Sequence, residues 1–109
     1  MADDQRAVAL ITAPQDQAKP IAEAIVDRQL VACVNIVPVV QSVYRWEGKV
    51  ETDDEALLVV KTTHEAVPSL DEALAELHPY DTYELVILPI ADGNQDYLSW
   101  ITDSVVVSR

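Results

Sequence analysis

The chain has 109 residues and is 50% hydrophobic, enough for one domain with a modest core. Its 19 acidic and 7 basic residues leave a net charge of −12 at pH 7, which argues against nucleic acid and against an anionic membrane surface. Two glycines, Gly48 and Gly93, forbid a P-loop or a G-x-G-x-x-G fingerprint, because both need clustered glycines.

The start, Met1-Ala2-Asp3-Asp4-Gln5-Arg6, has no basic region followed by an apolar run, so no signal peptide is expected. Arg6 to Ala13 is a short apolar run ended by Pro14 and reads as a strand. Asp16 can cap a helix running to about Leu30, with Ile21, Ala24, Ile25 and Arg28 at helical spacing. Pro20 is awkward beyond the first turn of that helix.

Val31 to Trp46 is rich in Val and Ile and reads as one long strand. Strict alternation puts Ala32, Val34, Ile36, Val40, Tyr44 and Trp46 on one face, and Cys33, Asn35, Gln41 and Arg45 on the other. Fully extended it reaches about 50 Å, past the diameter of so small a domain. Pro38 marks a bulge or bend. The uncharged stretch Gln29 to Tyr44, about 16 residues, falls short of a membrane span. Glu47-Gly48-Lys49 is a turn, and a second long strand follows from Val50 to Thr63. Its acidic run Asp53-Asp54-Glu55 is placed at the hairpin tip, where it lacks the spaced ligands of a calcium loop and is expected to be solvated.

Thr62-Thr63-His64-Glu65 offers a capping-box spacing. Val67, Leu70, Leu74 and Leu77 give the apolar face of a second helix, which stops near His78 because Pro79 follows. Glu84 to Ile90 reads as a fourth strand, and Asn94 caps a last helix carrying Tyr97, Trp100 and Ile101. The order β-α-β-β-α-β plus a C-terminal helix specifies an α+β fold, a ferredoxin-like split βαβ sandwich with two helices on one face of an antiparallel sheet. No repeat or linker divides it, so residues 1–109 form a single domain. An apolar hairpin longer than the monomer's sheet is an adhesive edge, and pairing it with other copies in a closed ring removes the liability.

Candidate chemistry rests on Cys33, His78 and Glu84. Thiolate, imidazole and carboxylate together could bind copper or zinc, or could form a nucleophile, its base and an orienting acid. Each also has an ordinary role: Cys33 as a buried small hydrophobe, His78 at a helix C-terminus, Glu84 at a strand end. Lys61 is either an edge gatekeeper or an anion contact. Tyr44, Trp46, Tyr97 and Trp100 read as packing residues, and His64 as solvated. The one cysteine cannot form an internal disulfide and fits a reducing, cytoplasmic setting. Neither H-E-x-x-H, G-x-S-x-G nor C-x-x-C occurs, so no catalytic signature is present and no enzyme is expected.

Five blocks in register carry a resemblance. These are Ala32-Cys33-Val34-Asn35-Ile36, Ser42-Val43-Tyr44-Arg45-Trp46-Glu47-Gly48, Lys61-Thr62-Thr63, Leu77-His78-Pro79-Tyr80, and Gly93-Asn94 with Tyr97 and Trp100. From about Val8 to Val105 the chain resembles the CutA divalent-cation-tolerance family. The resemblance implies a homotrimer built by pairing of long strands, much like PII proteins. It further implies tolerance of divalent metals with copper binding proposed, no organic cofactor, and an inter-subunit cleft. Cys33, Trp46, Lys61, His78, Tyr80 and Glu84 match that cleft's lining. On that basis copper or another divalent cation is the expected ligand, with Cys33 and His78 first and Glu84 third. The alternative is a PII-like sensor holding a small anionic metabolite at Lys61. Two departures stand out: Tyr83 replaces the family's usual proline before the glutamate, and Pro68 interrupts the second helix. The acidity would concentrate cations nonspecifically, so only salt-resistant binding is diagnostic.

Overall fold

The computed structural model describes residues 5–107, so the start of the chain, with its expected lack of a signal peptide, lies outside them, as do the last two residues of the assigned domain. Strand β1 (Arg6–Ala13) leads into helix α1 (Gln15–Asp27), followed by the hairpin strands β2 (Cys33–Trp46) and β3 (Lys49–Thr63). A 3₁₀ turn (His64–Ala66) opens helix α2 (Val67–Leu77), and the chain ends in β4 (Val86–Pro89) and α3 (Gln95–Ser104). The sheet order is β2-β3-β1-β4, all neighbours antiparallel, as the split βαβ reading requires.

Alternation along β1 explains the layers. Ala7, Ala9, Ile11 and Ala13 are fully buried and pair with Thr62, Val60, Leu58 and Ala56 of β3. This face takes α1 and α2 through Ile21, Ile25, Leu70 and Leu74. Helix α3 crosses the opposite face, held where Arg6 Nε donates to the Leu98 carbonyl (3.1 Å) and to Thr102 Oγ1 (2.9 Å). Asn94 caps α3 as expected, its Oδ1 accepting from the Tyr97 N–H at 2.9 Å.

Several local expectations are corrected. Asp16 lies inside the first turn of α1, and Pro14 is the cap, without a side-chain bond. The helix stops at Asp27 rather than Leu30, because Gln29 turns left-handed (φ 59°) and the Leu30 N–H reaches back to the Ile25 carbonyl at 3.1 Å. The capping box is not made: Thr62 Oγ1 donates to the Leu30 carbonyl, and Thr63 Oγ1 is buried without a partner. Pro68 does not interrupt α2 but sits in its first turn, where no backbone donor is needed.

The hairpin turns over Glu47 (φ 49°) and Gly48 (φ 80°), the left-handed pair that a two-residue turn demands. Its strands carry the long dimension of the molecule to 43 Å against 26 and 23 Å for the others. Between Val37 and Val40 the register slips by one residue, a bulge around Pro38. The slip reverses the pleat. Val34 and Ile36 pair with the core-facing Val60 and Leu58. Val40 and Tyr44 pair instead with Glu55 and Glu51, on the side of Lys61 and Cys33. The single-face assignment of Val34, Ile36, Val40, Tyr44 and Trp46 is therefore wrong, because one extra residue flips everything beyond it. The acidic run is likewise not at the tip: Asp53, Asp54 and Glu55 lie inside β3, opposite Ser42, Gln41 and Val40.

Strand β4 is shorter than expected and leaves Glu84 outside. The Ile90 N–H bonds to the Arg6 carbonyl, so continuing the ladder would next pair Glu84 with Thr12. The Thr12 carbonyl instead accepts from His78 Nε2 at 2.8 Å.

Candidate functional site

Five of the six expected site residues fall into two groups, and His78 lies beside the second, against Tyr80. Cys33 and Lys61 are directly paired across β2 and β3. Lys61 Nζ donates to Asn35 Oδ1. The half-buried Cys33 thiol lies 3.8 Å from the Tyr97 hydroxyl and 4.0 Å from Asn35 Oδ1. That contact raises the Tyr97 phenol above its usual value. Neither Asn35 nor Tyr97 is among the site residues expected from sequence, where Tyr97 reads as packing. Strand parity points to Asn35, since it shares a face with Cys33.

The second group borders a cavity of about 610 Å³ lined by Tyr44, Trp46, Glu55, Tyr80, Asp81 and Glu84, among others. Lys61 lies six positions along β3 from Glu55, roughly 20 Å along a strand. Within one chain Cys33 and Glu84 therefore do not meet. Among the described residues no three His, Cys, Asp or Glu side chains converge as a metal cage.

His78 is a hinge between helix and pocket rather than a free ligand in this chain. It is 6% exposed. Its Nε2–H donates to the Thr12 carbonyl, and Nδ1 accepts from the Tyr80 N–H at 3.2 Å, which fixes the orientation of the ring. Its ring stacks on Tyr83 at 5.3 Å and tilts against Tyr80 at 4.9 Å. Tyr83, the departure at the position before Glu84, also donates through its hydroxyl to the Asp71 carbonyl at 3.0 Å. The tyrosine thus anchors this loop to α2.

Glu55, dismissed from sequence as part of a solvated run, is 7% exposed, and its Oε2 accepts from the Tyr80 hydroxyl at 3.3 Å. Desolvation, then the charge of Glu55, raises the Tyr80 phenol. Tyr44 donates to Asp53, which pushes its phenol up to about 12. Glu84 is raised above its ordinary 4.5, chiefly by partial burial and then by Glu55. A carboxyl raised in the fold stabilises it fully below the unfolded value, and that contribution is lost as pH climbs through the folded one. Glu84→Gln, neutral throughout, should therefore melt higher than the wild type at about pH 7, with the gap closing toward about pH 4. Thermal melts at both pH values check this, and a gap independent of pH rejects it.

The CutA1 divalent ion tolerance protein family model matches residues 7–104. The divalent-cation tolerance protein CutA of Thermus thermophilus is 52% identical over 98 residues, covering 89% of this chain and 95% of that protein. A solved structure of a divalent cation tolerance protein from the same organism superposes with a TM-score of 0.90, covering 93% of this chain and 99% of the other, at 50% identity. Mouse Protein CutA is 44% identical over 101 residues; the match covers 89% of this chain but 57% of the mouse protein. A structure described as PII-like protein CutA from Nostoc in apo form superposes with a TM-score of 0.88, covering 94% and 99% of the two chains, at 28% identity.

Proposed function

The chain belongs to the CutA1 divalent ion tolerance protein family, and from that premise we propose that it binds divalent cations, copper first, as a cytoplasmic homotrimer. The observation that carries this reading is Cys33, a half-buried free thiol on an edge strand, flanked by hydrogen-bonding groups and placed at the base of the long β2-β3 hairpin. Thiolate selects soft and borderline metals. His78 and Glu84 are the remaining ligands we assign, and they reach Cys33 only from a neighbouring copy. Trp46, Lys61 and Tyr80 then line the cleft between copies. His78 enters by exchanging its Thr12 bond for the metal.

No catalytic step is assigned, because the partners of Cys33 are Asn35 and Tyr97 while those of His78 are Thr12 and Tyr80, so nucleophile and base do not meet within a chain. The cleft is assigned to cations rather than to an anionic metabolite on Lys61. That ammonium is engaged by Asn35, and the neighbouring pocket presents acids. Among the described residues no helix is long and apolar enough to cross a membrane.

Calorimetric titration with copper at about 150 mM salt, where exposed charges are screened, is the test. The wild type should bind saturably. Cys33→Ser with His78→Ala should lose that binding. Unchanged affinity in the double variant rejects the site.

A further inference from the structure

We propose that the pocket formed by Tyr44, Trp46, Glu55, Tyr80 and Glu84 is a binding site for an organic ammonium ion, distinct in its recognition chemistry from the metal site above. The cavity, about 610 Å³, lies in the size range of small-molecule sites. Among the described residues its charged lining is Glu55, Asp81 and Glu84, with no Lys or Arg. Glu55 is 7% exposed and receives one neutral hydrogen bond, from Tyr80, with no cation placed on it or on Glu84 among the described residues. A carboxylate that deep is costly unless a positive charge reaches it. Within one chain and among the described residues, the pocket therefore holds acids without a cation.

The walls decide which kind of cation. A divalent metal demands several ligands closing around one point, and no such set converges among the described residues. Three aromatic side chains, Tyr44, Trp46 and Tyr80, line the same cavity instead. Aromatic faces attract cations through their quadrupole and favour weakly hydrated alkylammonium groups, whose apolar parts they also cover. Buried acid plus aromatic wall is the chemistry of an amine or quaternary ammonium site. The bulge at Pro38 builds it, since without the reversed pleat Tyr44 would not share a side with Glu55. The pocket shares Trp46, Tyr80 and Glu84 with the cleft proposed above but does not use Cys33, so loss of the thiol tests the metal site apart from this one.

The test is calorimetric titration of the full chain, in its assembled form, with spermidine and with tetramethylammonium. Buffer at about 150 mM salt suppresses the general acidic field. We expect saturable binding of at least one probe at one site per chain, retained in Cys33→Ser, whose thiol does not line the pocket. Glu55→Gln keeps the acceptor for Tyr80 and removes the charge, and Trp46→Ala trims a wall residue outside the core, with sedimentation confirming that the variant still assembles. Each should weaken the probe roughly tenfold. Magnesium at matched ionic strength should not displace it. Absence of saturable binding, full displacement by magnesium, or unchanged affinity in Glu55→Gln and Trp46→Ala overturns the site, including the case in which a basic side chain of a second copy already fills it.

Discussion

Val43→Asp should reduce the particle mass from three chains to one. Val43 lies on β2, the edge strand of the sheet, and is 64% exposed in the single chain. Val50 of β3 (67%) shares its face, and Val39 (56%) and Trp46 (52%) are exposed along the same hairpin, apolar surface that a lone 109-residue chain has no reason to show water. If copies pair along this hairpin, a carboxylate at position 43 is buried without a partner, at a cost of several kcal/mol at each contact. Sedimentation velocity reads the outcome. The wild type should weigh three times the 12.0 kDa chain and Val43→Asp once, while Val43→Ala keeps the larger mass. A wild-type monomer, or an aspartate variant that still sediments as a trimer, defeats the proposed assembly.

Leu74→Ala should cost about 2–5 kcal/mol of unfolding free energy. Leu74 is fully buried on α2, in one cluster with Ile11, Ile25 and Leu58 from the other helix and the two central strands. Removing its branched side chain leaves a cavity where both layers of the fold meet, and rigid β-strands on one side cannot collapse into it. Urea denaturation at equal protein concentration measures the loss, since assembly contributes to apparent stability. A deficit below about 1 kcal/mol would mean that the helix layer is held by something other than this cluster.

The pocket shows why some residues were legible and others were not. Trp46, Tyr80 and Glu84 match the cleft lining that the family resemblance implies, and all three line one cavity. Glu55 and Tyr44 were not among those residues, although they define its charge and a wall. Glu55 sat in a run of three acids that looks like solvated surface, and only its neighbour in space, Tyr80, reveals it as buried. Tyr44 was given to the wrong face because a period-two count carries no record of an inserted residue. Pro38 warned of a bend, and the warning was right, but a proline does not say whether the pleat reverses. Glu84 was placed in a strand because its neighbours are apolar. A histidine six residues earlier takes the carbonyl that its backbone would have used.

The elements themselves were different. Strand β1 ends where the apolar run ends at Pro14, α2 stops before Pro79, Asn94 caps α3, and Gly48 helps close the hairpin. Each depends on residues a few positions apart, so local chemistry was sufficient, and the order of elements then left the split βαβ sheet as the economical packing. The −12 charge and the length were equally plain. The tertiary structure alone decided the register slip in β2, the buried state of Glu55, the double hydrogen bonding of the His78 ring, and the separation of Cys33 from Glu84 within a chain. The physical reason is common to all four. Pairing partners and burial are properties of strands brought together from distant parts of the chain, and a one-residue shift in that pairing exchanges the two faces of a sheet without changing any residue.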